Sequence, residues 1–383
     1  MIMKNQNTNE RILLLYCCKS LLSSEDKSTI KTMLNDSHID PLVLRDLAYK
    51  HAVLPLLYTT LKAIVPKHSL CRVLKPYYTH IIQRNLAMTS HLVQLVTLFK
   101  THYFPVLALK GSALAYTLYG NLTLRQFGDI DILIHIRDKQ SMIRMMKKEG
   151  YIPQLPLTEA TKKTFISYVN VIGFYTPDKS ILIEIHWKLL SQNYAVSWEE
   201  EQLWKNISFV PTPSYDLPTL AFKQQFLYLC LHGSKHLFER LSWVCDIDRS
   251  LRVTYPIPWD ALLADAKALG IYRIVLLSLS LSHTLLDSPL PQEIHDFIHQ
   301  DTKVAKLTSI LIDFQRSNTP PKSYYHLILL CTMREKYQDK MRVLWFGLFT
   351  AKFDDFKWIQ LPSYLRFLYP LLRPLRLMMK YFG

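Results

Sequence analysis

Residues 107–138 read LALKGSALAYTLYGNLTLRQFGDIDILIHIRD, and this stretch decides the fold. The apolar run Val106-Leu107-Ala108-Leu109 stops at Lys110-Gly111-Ser112, after which residues 113–119 look helical. Residues 130–136 are β-rich, and residues 139–148 return to a helical pattern. Glycine is scarce, nine in 383 residues against a usual share of roughly 7%, yet Gly111 and Gly128 both flank this segment. A strand that turns at a glycine into a helix gathers free N–H groups and the positive dipole end, a setting that suits phosphate. Ser112 stands where it can cap that helix or hold a phosphate oxygen.

Asp129 and Asp131 are two apart, so on a strand both carboxylates share one face while Ile130 and Ile132 take the other. Adjacent like charges are unfavourable without a cation between them, and hard oxygen ligands suit Mg²⁺ or Mn²⁺. Farther on, SILIEIHWK over residues 180–188 alternates strictly. Ile181, Ile183, Ile185 and Trp187 form one face; Leu182, Glu184, His186 and Lys188 form the other. A glutamate in so apolar a strand is costly to bury unless it is paired or binds metal. If this strand neighbours that of Asp129, three carboxylates converge and repulsion raises the pKa of at least one. An edge strand with Glu184 in water is the competing reading.

Outside these residues the chain reads as helix. Residues 1–100 carry apolar positions at helical spacing, including Leu42, Leu44, Leu47 and Ala48, with Pro55, Pro66 and Pro76 as punctuation. Residues 101–212 mix strands and helices, and from Leu217 a helical pattern resumes through residue 383. The expected organisation is thus an α+β core at 101–212 between helical regions at 1–100 and 213–383. Apolar residues are 49% and charged residues 20%, which excludes a disordered or fibrous chain. The net charge of +15 favours anionic partners without naming one. No run of about 18 apolar residues argues for a spanning helix. The six cysteines include no CxxC pair and no zinc spacing, so reduced buried thiols in a cytoplasmic protein are expected. MIMKNQNTNER does not have the build of a signal peptide.

Strand-Gly-Ser-helix, then Asp-x-Asp seventeen residues after Ser112, then a carboxylate on a later strand is a specific order. It resembles the nucleotidyltransferase superfamily built on the DNA polymerase β catalytic fold. Within it, residues 107–138 look like the bacterial uncharacterised nucleotidyltransferase family that reads "LKG…LY…R…DIDLLV". The similarity continues in IEIHWKLL, LHGSKHLFERLSWVCDID and LPSYLRFLYPLLRPLRL, spanning about His51 to Leu377. The resemblance implies a mixed sheet with helices and Mg²⁺-dependent transfer of a nucleoside monophosphate from an NTP to an acceptor hydroxyl. It places two metal ions on Asp129 and Asp131, with Glu184 as the third carboxylate binding the catalytic metal, either as a ligand alone or also as acceptor of the hydroxyl proton. In the superfamily that third acid is often Asp. It gives Gly111 and Ser112 the β,γ-phosphates, and Lys110 and Arg125 the neutralisation of phosphate charge, Arg125 by a two-point contact.

His232, Lys235, His236 and Trp243 fall at i, i+3, i+4 and i+11, one face of a helix that could stack a base and touch phosphate. His186, His232 and His236 are accordingly assigned to nucleotide binding. Interdomain packing is the other use of that face, with Asp246 paired to a basic residue. In the tail, Arg366, Arg373, Arg376 and Lys380 share about 80° of arc if helical, a stripe that suits anionic lipid or a packed helix with its basic side in water. Pro370 and Pro374 speak against one continuous helix there. Packing is preferred over peripheral membrane contact. The acceptor is open between a small molecule, a peptide or protein and an RNA end. Competing functions are a non-catalytic nucleotide- or RNA-binding regulator and a basic membrane-peripheral scaffold.

Overall fold

A computed structural model describes residues 8–154, 166, 169–190, 194, 196, 198–212, 215–254, 256–317, 323–351 and 353–382. Its strands are β1 (Val106–Ala108), β2 (Asp129–Ile134), β3 (Ile152–Pro153), β4 (Val171–Tyr175), β5 (Leu182–His186), β6 (Ile207–Val210) and β7 (Leu217–Leu220). They form one mixed sheet in the order β3-β4-β5-β2-β1-β7-β6. β1 runs antiparallel to β2 and parallel to β7. β2 runs parallel to β5 with Asp131 opposite Glu184, so the alternation of both segments is in phase.

That phase divides the core in two. Val106, Ala108, Ile130, Ile132, Ile134, Ile183 and Ile185 pack on one face with helix residues such as Leu95, Phe99, Met142 and Met146. Leu107, Leu109 and Leu133 join the other cluster, which contains the remaining helices. Asp131 shares the face of Leu133, so its carboxylate points toward helices rather than toward bulk water.

Those helices come from both ends of the chain. α1 (Thr8–Cys18), α2 (Ser24–Asp36), α3 (Pro41–Lys50), α4 (Leu54–Ile64) and α5 (Ser69–Thr101) precede the sheet. α6 (Gly111–Tyr119), α7 (Lys139–Lys148) and α8 (Glu200–Lys205) lie between strands. α9 (Phe222–Lys235), α10 (Leu241–Val253), α11 (Trp259–Ala268) and α12 (Tyr272–Leu286) follow it. α1 packs on α12, and the Ser242 N–H donates to the His51 carbonyl at 3.1 Å, so the two helical regions meet directly.

Three expectations are corrected. Leu217–Leu220 is a strand, with helix beginning at Phe222; Thr219 pairs with Ala108, and its hydroxyl donates to the Ala108 carbonyl at 2.6 Å. The sheet therefore extends past residue 212. The reason is tertiary: β1 has an open edge that a four-residue apolar segment fills, which periodicity cannot sense. Second, His232 and Trp243 are not on one helix. The backbone turns left-handed at Leu237 (φ 51°) and Phe238 (φ 49°) between α9 and α10. Third, the terminal helix Tyr369–Phe382 runs through Pro374, and its arginines face inward. Arg373 Nη1 donates to Asp355 Oδ2 at 2.7 Å and Arg376 pairs with the same carboxylate, while Leu371, Leu375, Met378 and Met379 are exposed. No described helix is long and apolar enough to cross a membrane.

Candidate active site

The parallel pairing of β2 and β5 brings Asp131 beside Glu184, and His186 leans back over both. His186 Nε2 lies 3.0 Å from Asp131 Oδ1 and 3.4 Å from Glu184 Oε2. The Lys110 ammonium, at the strand-to-helix turn after β1, lies 3.0 Å from the same Asp131 oxygen. Asp131 is buried, and its Oδ2 has no hydrogen-bond partner among the described residues. One donor atom each from Asp131, Glu184 and His186 lie within 4.8 Å of one another, the separation a shared cation needs. An acceptor oxygen left buried without a donor is costly, and a divalent ion with carboxylate ligands removes that cost. The donor set fits such an ion.

Burial alone would raise the Asp131 carboxyl; the Lys110 ammonium and the His186 hydrogen bond outweigh it and hold it below the usual range. Asp129, half-buried at the start of β2, is pushed up to about 6 by burial and then by Asp131, against the pull of Lys110. Two neighbouring acids thus part company, Asp131 staying ionised while Asp129 still takes up a proton near pH 6. Burial lowers His186, but its bonds to Asp131 and Glu184 reverse that and raise it. Lys110 is likewise raised by Asp131 against burial.

The turn at Gly111 has φ +51°, a left-handed conformation that favours glycine; a Cβ there would meet Phe127 Cδ2 at an ordinary 3.5 Å, so the backbone angle and not lack of space sets the preference. Ser112 is buried and its hydroxyl lies 2.7 Å from that of Thr89 on α5, so it ties α6 to α5. Arg125 is also buried. It spans Asp246 with two bonds, Nε to Oδ1 at 3.0 Å and Nη2 to Oδ2 at 2.9 Å, and Tyr119 donates to the same carboxylate at 2.8 Å. The guanidinium fork expected to meet phosphate is committed to α10, which is the pairing foreseen for Asp246 as the alternative.

The helical histidines do gather, by a different route. Past the left-handed turn, Trp243 returns to stack on His236 with centroids 5.0 Å apart and meets the His232 ring edge-on at 5.5 Å. Phe238 packs so tightly on α9 that a Cβ at Gly233 would lie 2.3 Å from its ring, which requires glycine. Burial, then Lys110, drives His232 far below its ordinary value; burial, then Lys235, takes His236 down to about 3. Lys235 is lowered by burial and by Lys110. Both imidazoles are therefore neutral beside a cationic pair. Tyr228, one turn before His232, escaped the sequence reading. Burial raises its hydroxyl to about 12, and Lys110, Asp131 and Glu184 all act on it. Its i, i+4 relation to His232 was the available signal.

A model of the uncharacterised nucleotidyltransferase family matches residues 37–287, about two-thirds of the chain. The chain belongs to this family. It is a nucleotidyltransferase, and the matched span runs from the segment before α3 through α12, taking in every residue of the cluster just described. The LPSYLRFLYPLLRPLRL segment lies beyond the match. Among solved structures, the chain is similar to the lincomycin-bound lincosamide antibiotic adenylyltransferase LnuA at 15% identity, covering 43% of this chain and 97% of that one with a TM-score of 0.31. So partial a superposition has no bearing on substrate. No curated protein matches.

Proposed function

We propose that this nucleotidyltransferase moves a nucleoside monophosphate from an NTP to an acceptor hydroxyl. The acceptor oxygen forms a bond to the α-phosphorus, the α–β anhydride bond breaks, and pyrophosphate leaves. The observation that supports this most is the pairing of Asp131 with Glu184 across parallel strands, with one buried carboxylate oxygen lacking a donor. Asp129, Asp131 and Glu184 would hold Mg²⁺ or Mn²⁺, with His186 at the same point. When bound, the ion neutralises phosphate charge and polarises the reacting oxygens.

The chain's own groups do the rest. Gly111 at a left-handed turn lets the backbone come close to phosphate at the N-terminal end of α6, where the helix dipole is positive. Lys110, raised by Asp131 against burial, stays protonated and would offer its charge to the β,γ-phosphates from its place beside Asp131. Glu184 takes the hydroxyl proton. Neutral His232 and His236 with Trp243 give a weakly polar aromatic cluster for a base beside Lys235. Incubation of the purified protein with each labelled NTP, Mg²⁺ or Mn²⁺ and whole-cell extract tests the reading. A labelled acceptor whose mass rises by one nucleotide, absent with Asp131→Asn, is expected. Label released only as nucleoside diphosphate and phosphate would overturn it.

A further inference from the structure

Among the described residues, fourteen of the 24 large apolar side chains that stay exposed lie between Tyr324 and Met379. They are arranged, not scattered. On the helix Tyr337–Phe349, Tyr337, Met341, Trp345 and Leu348 fall within about 80° of arc at 100° per residue. The terminal helix Tyr369–Phe382 packs on it, and there Leu371, Leu375, Met378 and Met379 fall within about 100°, opposite the inward Arg373. Trp358 and Phe367, between the two helices, are exposed as well. The charge around these arcs is one-sided. Residues 323–383 hold ten Lys and Arg against four acids, and nothing after Asp355 is acidic. Each acid is already answered inside the fold: Asp355 by Arg373, Asp354 by Arg376, Asp339 by Arg342 and Glu335 by the Arg273 N–H. The surplus in this part of the chain is therefore positive.

We propose that this face docks on a lipid surface bearing anionic headgroups, with the two apolar arcs set into the boundary of the acyl chains and the positive surplus matched by the headgroups. The contact is the reverse of the one a basic stripe would make, because Arg373 and Arg376 turn in to Asp355 and leave the apolar side out. The terminal helix has 14 residues and is about 21 Å long, short of the roughly 30 Å hydrocarbon core, so it lies in the plane of the surface and not through it. Tryptophan, tyrosine and phenylalanine among the outward residues suit that depth. A second copy of the chain fits less well, since it sets positive surplus against positive surplus. The inference goes beyond nucleotidyl transfer and does not depend on it.

Co-sedimentation of the full chain with vesicles tests it, using phosphatidylcholine alone and phosphatidylcholine with phosphatidylserine at about 3:1. Stronger binding to the mixed vesicles is expected, weakening but not vanishing as salt rises from about 0.1 M to about 0.5 M. Met341→Ser/Trp345→Ser and Leu375→Ser/Met379→Ser should each lower the partition coefficient about tenfold or more, because each pair removes apolar surface that the fold itself leaves exposed. Leu42→Ser/Leu86→Ser, exposed to a similar degree but far along the chain, should bind as the parent does. Binding abolished by the higher salt, or left unchanged by both apolar pairs, would reduce the contact to charge alone and overturn the proposal. Absence of sedimentation with either vesicle, or equal binding to the two, would overturn it as well. So would a lipid-free dimer in sedimentation velocity that the apolar pairs dissociate, which would assign the face to a second copy.

Discussion

Asp131 and Lys110 are the pair on which the acidic face depends. Three converging acids would by themselves destabilise the fold, and the sequence suggests that losing one charge should be harmless without ligand. The structure reverses that expectation, because Lys110 is buried against Asp131 at 3.0 Å. Removing one member of a buried pair strands the other, at about 3–5 kcal/mol. Lys110→Met should therefore lower stability by that order in denaturant melts, and Lys110→Met/Asp131→Asn should recover most of it. A double mutant no more stable than Lys110→Met would show that the pair contributes nothing. Asp131→Asn alone should reduce nucleotide transfer by at least about a hundredfold, read as labelled acceptor formed per unit time.

At the scale of elements, two joints carry the site. The first is the α9–α10 turn, where Phe238 folds back on Gly233 and so delivers Trp243 to the histidines. A Cβ at 2.3 Å from an aromatic ring cannot be accommodated without movement. Gly233→Ala should cost about 1–3 kcal/mol in chemical denaturation, and Gly233→Ala/Phe238→Ala less than the sum of the two single changes. Strict additivity would mean that the contact is absent. The second joint is His51, which ends α3 and accepts the Leu241 N–H at 3.3 Å on Nδ1, joining α3 to α10. Burial, then Arg11, depresses its pKa from 6.5 to about 4. The unfolded chain thus binds this proton first, so stability is full above about pH 6.5 and falls as pH drops toward 4, by up to about 3 kcal/mol from this group. Melts across pH 4–7 should show a shallower acid limb in His51→Gln than in the parent. Parallel limbs would rule His51 out as the cause.

Over the whole molecule, helices from both ends close on the sheet, and the last of them is fastened by charge. The Asp355 carboxylate, buried between Arg373 and Arg376, holds the terminal helix to Phe353–Trp358, and Arg373 also donates to the Gly347 carbonyl of Tyr337–Phe349, while Leu371, Leu375, Met378 and Met379 face water. Asp355→Ala leaves two poorly solvated cations and should free that helix. Limited proteolysis should then cut between residues 358 and 382 at least tenfold faster than in the parent, with the family-matched span through residue 287 still resistant. Equal cleavage rates would show that apolar packing alone retains the tail.

The sequence by itself determined the acidic face. Alternation is a local property, so Asp129, Asp131, Glu184 and His186 were bound to project to the side opposite Ile130 and Ile183, and Gly111 marked the strand-to-helix turn. Which side chains answer those charges was not local. Arg125 looks as well suited to phosphate as Lys110 does until α10 brings Asp246 to it from 121 residues away. The four residues of β7 became a strand because β1 had an edge to fill, and Trp243 reached His236 through a reversal rather than along one helix. Arg373 and Arg376 of the tail turned inward because Asp355 is there to meet them. Periodicity assigns a face to each residue; only the packed chain assigns it a partner, because pairing energies arise between groups that the sequence holds far apart.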